Sequence, residues 1–167
     1  MLTIVDYAGT ADEDDRVASL LANVYVQGCF TDAARAATVF VPSQVRLRGR
    51  ILLATTPAAA VVGMVICGSH DNPYRQVADH EEAEMQLLAV DPGARGRGLG
   101  RALCLAFEHK ASALGYRKAV LSTQPAMSSA QRVYESLGYR RHSSRDWVRE
   151  NRSFIVYEKS LDDGDAE

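Results

Sequence analysis

A chain of 167 residues with 47% hydrophobic and 24% charged positions has the length and make-up of one globular domain, large enough to bury most of its apolar surface. The net charge of −2 argues against nucleic acid or an anionic membrane as a partner. No apolar run reaches membrane-spanning length, and the first residues lack the basic start and apolar core of a signal peptide, which points to the cytoplasm.

The elements follow in chain order. Leu2 to Tyr7 alternates and predicts a strand. Val17, Leu20, Leu21 and Val24 recur at helical spacing over 11–25, and Asp12, Glu13, Asp14 and Asp15 suit the positive end of that helix. Residues 28–49 are ambiguous, with helix-forming alanines at 33, 34, 36 and 37 and Pro42 interrupting them. Strands follow at 51–55 and 60–67, joined by a turn containing Pro57. Gly68, Asn72, Pro73 and many charges make 68–83 a long loop. A strand from Glu84 to Val90, a glycine-rich segment and a helix over 98–114 closed by Gly115 come next. A short strand at 119–122, a helix over 128–137 closed by Gly138, and strands near 139–144 and 153–159 complete the chain. The acidic tail at 162–167 is expected to fray. The alternation predicts one α/β domain over 1–161, a mixed sheet with helices on both faces.

Chemistry concentrates at Arg95-Gly96-Arg97-Gly98-Leu99-Gly100, between a strand and a helix that begins with Arg101 close behind. Alternate glycines let the backbone approach a ligand and expose amide hydrogens at the positive end of the helix. Interleaved arginines add charge, and the whole suits an anion, a pyrophosphate above all. No Gly-Lys-Ser/Thr makes it a P-loop, and G-x-G-x-G is not the dinucleotide G-x-G-x-x-G. No C-x-x-C or H-x-x-x-H spacing suggests a metal, and the odd count of three cysteines, Cys29, Cys67 and Cys104, reads as reduced structural thiols.

Leu88-Ala89-Val90-Asp91-Pro92 followed by Arg95, Gly98 and Gly100 resembles the acyl-CoA motif Gln/Arg-x-x-Gly-x-Gly/Ala of the GNAT superfamily of N-acetyltransferases. Ala130-Gln131-Arg132-Val133-Tyr134-Glu135-Ser136-Leu137-Gly138-Tyr139 resembles that family's later helix, at the expected distance. The resemblance covers roughly residues 84–140 and implies a central, mixed but mostly antiparallel sheet of six to seven strands, flanked by helices, with one strand pair splayed around the pantetheine arm. It implies acetyl-CoA as co-substrate and direct transfer to an amine, on a small molecule rather than a protein. It assigns residues 96–101 (Gly96, Arg97, Gly98, Leu99, Gly100 and Arg101) to the pyrophosphate, with Arg95 heading the motif. Leu88, Ala89 and Val90 become the edge that pairs with pantetheine, one amide polarising the thioester carbonyl.

A free alkylamine is neutral in only about one part in 2,500 at pH 7, so a base or a water relay would help. Strict alternation puts Glu84, Gln86, Leu88 and Val90 on one face, making Glu84 the preferred base over Glu81 and Glu82, which fall in the loop. By resemblance, Tyr134 occupies the general-acid position and donates to the departing thiolate. The sequence departs from the family at Met127, where relatives carry an asparagine that binds the cofactor arm; Ser128 or Ser129 could substitute. Leu121-Ser122-Thr123 offers no acid, which weakens a peptide N-terminus as acceptor. Arg140, Arg141, Arg145, Arg149 and Arg152 surround Trp147; a solvated strand pair, a substrate-carboxylate site or a homodimer surface each fits them better than nucleic acid. Tyr25, Phe30 and Tyr74 are candidates to line the acceptor side. The alternative to an enzyme is a non-catalytic acyl-CoA sensor on the same fold.

Overall fold

The structure, a computed structural model, describes residues 1–162. The acidic tail expected from 162 lies, beyond Asp162, outside the described residues. The strands are β1 (Thr3–Asp6), β2 (Gly49–Thr55), β3 (Val61–Gly68), β4 (Glu82–Val90), β5 (Lys118–Thr123), β6 (Arg140–Arg141), β7 (Trp147–Arg149) and β8 (Arg152–Ser160). The helices are α1 (Ala11–Leu21), α2 (Ala33–Val39), α3 (Pro42–Arg46), α4 (Leu99–Ala113) and α5 (Ser128–Ser136). One sheet runs β1-β2-β3-β4-β5-β8-β6, with β7 pairing β8 beside this path. Only β4–β5 is parallel. The mixed, mostly antiparallel sheet is as expected, with one strand more: β7 was not read from the sequence.

Both faces of the central strands are covered, so those strands are apolar throughout rather than alternating. Leu52, Val65, Met85 and Leu121 face α4 and its Leu103 and Phe107. Ile51, Leu53, Met64 and Ile66 face α1 and its Val17, Leu20 and Leu21. The ambiguous stretch before β2 resolves into two short helices, with Asp32 capping α2 and Pro42 opening α3. A wide π-helical turn, Ala22–Val26, extends α1.

Two features of β4 open the sheet. Its pairing with β5 runs only from Glu82↔Lys118 to Met85↔Leu121, leaving the later half of β4 without a neighbour on that side. Its pairing with β3 breaks between Met64 and Ile66, opposite Leu87 and Leu88. Leu87 sits at φ +48°, a left-handed conformation that costs a leucine about 1–2 kcal/mol. This bulge corrects the strict alternation read from the sequence. Ala83 and Met85 face α4, but so do Leu88 and Val90, while Leu87 and Ala89 face α1. Glu84 and Gln86 are therefore on the opposite face from Leu88 and Val90.

Candidate active site

A cavity of about 530 Å³ occupies the splay between β4 and β5. Its walls come from β4, the start of α4, the end of β5 and α5, with Tyr25 and Phe30 contributed by the chain after α1.

At one end stands the α4 N-terminus. Gly96 and Gly98 have φ of +78° and +75°, and a Cβ on either would meet nothing within 4 Å. Glycine is needed here for its conformation, not because space is short. Gly98 caps α4 with no side-chain hydrogen bond, so the first amides of the helix keep their donors free. Arg95, Gly96, Gly98, Leu99, Gly100 and Arg101 line the cavity; Arg97 is exposed and does not. Arg95 Nε donates to the Val90 carbonyl at 3.3 Å, and Arg101 Nη1 donates to Ser136 Oγ at 3.1 Å, tying α4 to α5.

Along the middle runs the free edge of β4. Leu88 and Val90 line the cavity, whereas the Ala89 side chain is buried toward α1. Tyr25, held by the π-helical turn, donates its hydroxyl to the Leu88 carbonyl at 3.0 Å, directly after the strained Leu87. Burial pushes the Tyr25 hydroxyl up to about 12, against the opposing pull of Arg48, so it remains a donor.

Tyr134 faces this edge from α5. Its ring lies 5.9 Å from Tyr139 and 6.0 Å from Tyr157, and burial raises its hydroxyl well above the usual tyrosine range. The hydroxyl has no protein partner among the described residues, yet it is not sealed from the cavity that the residue lines. Near it Met127 also lines the cavity, its Sδ accepting from Thr123 Oγ1 at 3.4 Å, with Ser128 and Ser129 beside it.

Glu84 is placed otherwise than expected. It is 0% exposed and does not line the cavity. The amides of Gln76, Val77 and Ala78 donate to its carboxylate at 2.8, 2.9 and 2.8 Å, and Gln86 Nε2 donates at 2.9 Å. Its lone pairs are committed to pinning the loop at 69–81, shorter at both ends than the 68–83 expected because Glu82 already pairs in β4, which leaves no open acceptor for an incoming ammonium. Glu82 is also engaged, receiving Arg145 at 2.8 and 2.9 Å. Burial raises the Glu82 carboxyl, but hydrogen bonds from Arg145 and the Asp79 backbone outweigh it and leave the group below the carboxylate range. Among the described residues no Asp, Glu or His lines the cavity.

The far wall carries residues that sequence reasoning missed: Arg48, Gln76, Gln86 and Gln124. Arg48 sits in the stretch left ambiguous, and nothing in its local pattern marks it. The C-terminal arginines separate on folding. Arg141 pairs with Asp146 and Arg145 with Glu82, while Arg149 lies over the Trp147 ring at 5.3 Å beside Phe154, which lines the cavity. Tyr74 is packed on Arg48 rather than on the cavity.

A glycine-led helix end, an unpaired strand edge and a tyrosine hydroxyl without a protein partner among the described residues open on one cleft in an α/β fold. The family model of the acetyltransferase (GNAT) family matches residues 25–139, and the chain belongs to that family. It is similar to the mycothiol acetyltransferase of Gordonia bronchialis, 34% identical over 88 residues, 48% of this chain and 29% of that protein. The mycothiol acetyltransferase of Thermobispora bispora is 42% identical over 64 residues, 38% of this chain and 22% of that protein. The matched region thus spans under a third of the length of these curated relatives. In fold the chain is similar to a GNAT-family acetyltransferase from Staphylococcus aureus (TM-score 0.75, 16% identity, 96% of this chain and 99% of that one). It is likewise similar to a GNAT-family N-acetyltransferase from Escherichia coli solved in complex with CoA (TM-score 0.65, 21% identity, 97% and 82%).

Proposed function

We propose that this protein is an N-acetyltransferase that moves an acetyl group from acetyl-CoA directly to a primary amine on a small molecule. The observation that carries this reading is that the uncapped α4 N-terminus, the free β4 edge and the Tyr134 hydroxyl open on one cavity. The curated relatives are named for acetyl transfer, which supports an acetyl rather than a longer acyl group.

In this reading the amides of 96–101, with Arg95 and Arg101, hold the pyrophosphate. The β4 edge at Leu88 and Val90 pairs with the pantetheine arm, and a backbone amide there polarises the thioester carbonyl. The neutral amine attacks that carbonyl carbon, the carbon–sulfur bond breaks, and CoA leaves as its thiol. Tyr134 donates a hydrogen bond to the departing sulfur. Because burial holds its proton well above the usual tyrosine range, it stays a hydrogen-bond donor to the sulfur, and the thiolate takes its proton through water from the attacking amine. With no acid or histidine on the cavity wall, the amine gives its proton to water rather than to Glu84, which serves as a positioning residue for the 69–81 loop. The acyltransferase domain spans 1–161, and buried, unbridged Cys67 and Cys104 support a cytoplasmic setting.

The test is calorimetric binding of CoA together with thiol release from acetyl-CoA across a panel of amines. Amine-dependent release supports the enzyme. Binding without release on any amine supports the acyl-CoA sensor instead, a reading that Met127 at the usual asparagine position keeps alive.

A further inference from the structure

Arg48 is a cation without a counter-ion. It is only 6% exposed, and an arginine buried to that degree is ordinarily paired. None of the ion pairs among the described residues includes it. Among the described residues its one side-chain hydrogen bond is from Nη1 to the amide oxygen of Gln86 at 3.1 Å, and its Nε is buried with no partner. The Tyr74 ring covers one face of the guanidinium at 4.3 Å. Gln86 in turn donates to Glu84 and to the Tyr74 carbonyl, so the nearest acid reaches Arg48 only through a neutral amide.

The surroundings add to the positive charge. Burial, then the Arg149 and Arg35 charges, pull the Arg48 guanidinium down to about 10, with Tyr74 and Tyr25 opposing, so it stays protonated at neutral pH. Arg35 and Arg149 also lack an ion pair among the described residues, and Glu150 is the one acid raising Arg149. Arg48 and Gln86 both line the cavity, and Gln86 lies two positions before Leu88 on β4. Arg95 and Arg101 line the cavity beside the α4 N-terminus, and Arg48, bonded to Gln86 of β4, is the third lining cation among the described residues.

We propose that Arg48 receives the carboxylate of the acceptor, so that the substrate class is small α-amino acids or close relatives that carry an amine and a carboxylate together. This rests on the acetyl-transfer reading and names its second substrate. A guanidinium fork matches a carboxylate in plane and charge, and Gln86 and the Tyr74 ring hold it in a fixed orientation. The bound carboxylate supplies the missing counter-charge of a buried cation, and the cavity wall has no acid to repel it. The amine is left free for the donor end of the same cavity. An acceptor without the anion leaves Arg48 unpaired and is rejected on that ground.

The experiment uses the whole chain, the protein α-amino acids and the matching α-carboxamides, read by thiol release from acetyl-CoA and by calorimetry on the CoA-loaded protein. At least one acid is expected to exceed its own carboxamide by about 30-fold or more in kcat/KM, the scale for removing one partner of a buried charge pair. Arg48→Gln abolishes that preference, while Arg48→Lys keeps the preference for acids with weaker binding; CoA affinity and melting temperature confirm that each variant folds. Should Arg48→Gln fail to fold, the acid-to-carboxamide ratio of the unaltered protein still decides. Carboxamides used as well as acids, or acids that neither bind nor react, overturn the anion site while leaving amine acetylation standing. Acids that bind selectively but release no thiol preserve the site and overturn acetyl transfer.

Discussion

Two helices of this protein start in opposite ways. The α1 N-terminus is closed on itself: Thr10 Oγ1 accepts from the Glu13 amide at 3.2 Å, and Glu13 Oε2 accepts from the amides of Ala8, Gly9 and Thr10 at 2.9, 2.9 and 3.2 Å. Asp12, Glu13 and Asp14 complement the dipole in its first turn. The α4 N-terminus has a left-handed glycine, no capping side chain, no acid in its first turn and arginines on either side. The first helix has its Glu13 and Asp14 amides met by Thr10 and the chain leading into it held by Glu13. The second leaves its first amides free at the mouth of a cavity, and what completes it is expected to come from a ligand.

The sharpest way to break this comparison is to give α4 the kind of cap α1 has. Aspartate enters the left-handed conformation of Gly98 at a cost of about 1 kcal/mol, less than most side chains, so Gly98→Asp supplies both an acceptor and a negative charge. CoA affinity is expected to fall by about 100-fold, the scale of opposing like charges at an interface, while the melting temperature falls by only about 2–4 °C from the backbone strain. Calorimetric titration checks this, and unchanged CoA affinity would remove the α4 terminus from the donor site.

Tyr134→Phe separates binding from chemistry. Turnover is expected to drop by about 100-fold or more, with CoA affinity within about a factor of two. The pH profile adds a sign. Because burial raises the Tyr134 hydroxyl, the group stays protonated below its raised value, and turnover climbs with pH as the acceptor amine loses its proton. A falling limb below pH ~10 that disappears in Tyr134→Phe would contradict that assignment.

Glu84→Gln tests the positioning role. Replacing one carboxylate oxygen by a donor opposes either the Val77 and Ala78 amides on Oε2 or the Gln76 amide and Gln86 on Oε1, for a loss of about 2 kcal/mol or about 4–8 °C in melting temperature. Turnover falls less than in Tyr134→Phe. A variant as stable as the parent but inactive would restore Glu84 as the base. The smallest effect belongs to the closed helix end: Thr10→Ala is expected to cost about 1 kcal/mol, about 2–4 °C, with no change in CoA affinity.

Much of the donor side is legible in the chain. Gly96 and Gly98 mark backbone that only glycine adopts readily, the apolar runs of β2, β3 and β4 mark strands buried on both faces, and Asp12 to Asp15 mark a helix start. These are local signals, each carried within a few residues. The cluster around Arg48 is less legible, because its parts lie far apart in sequence: Arg48 precedes β2 and Gln86 is in β4, and only Tyr25 after α1 and Arg149 in β7 stand out as candidates from the sequence.

The placement of Glu84 escapes the sequence for a related reason. Alternation is a rule for regular strands, and one bulge at Leu87 reverses every face beyond it. A leucine at φ +48° gives no warning in the sequence; pairing with β3 and the Tyr25 hydrogen bond to Leu88 hold it there. By itself, then, the sequence determined the family, most of the order of elements and the glycine-led helix end, since each depends on residues adjacent in the chain. Tertiary structure alone decided which carboxylate is tied up in a loop and which arginine is left without a counter-ion, because burial and pairing are properties of what folding brings together.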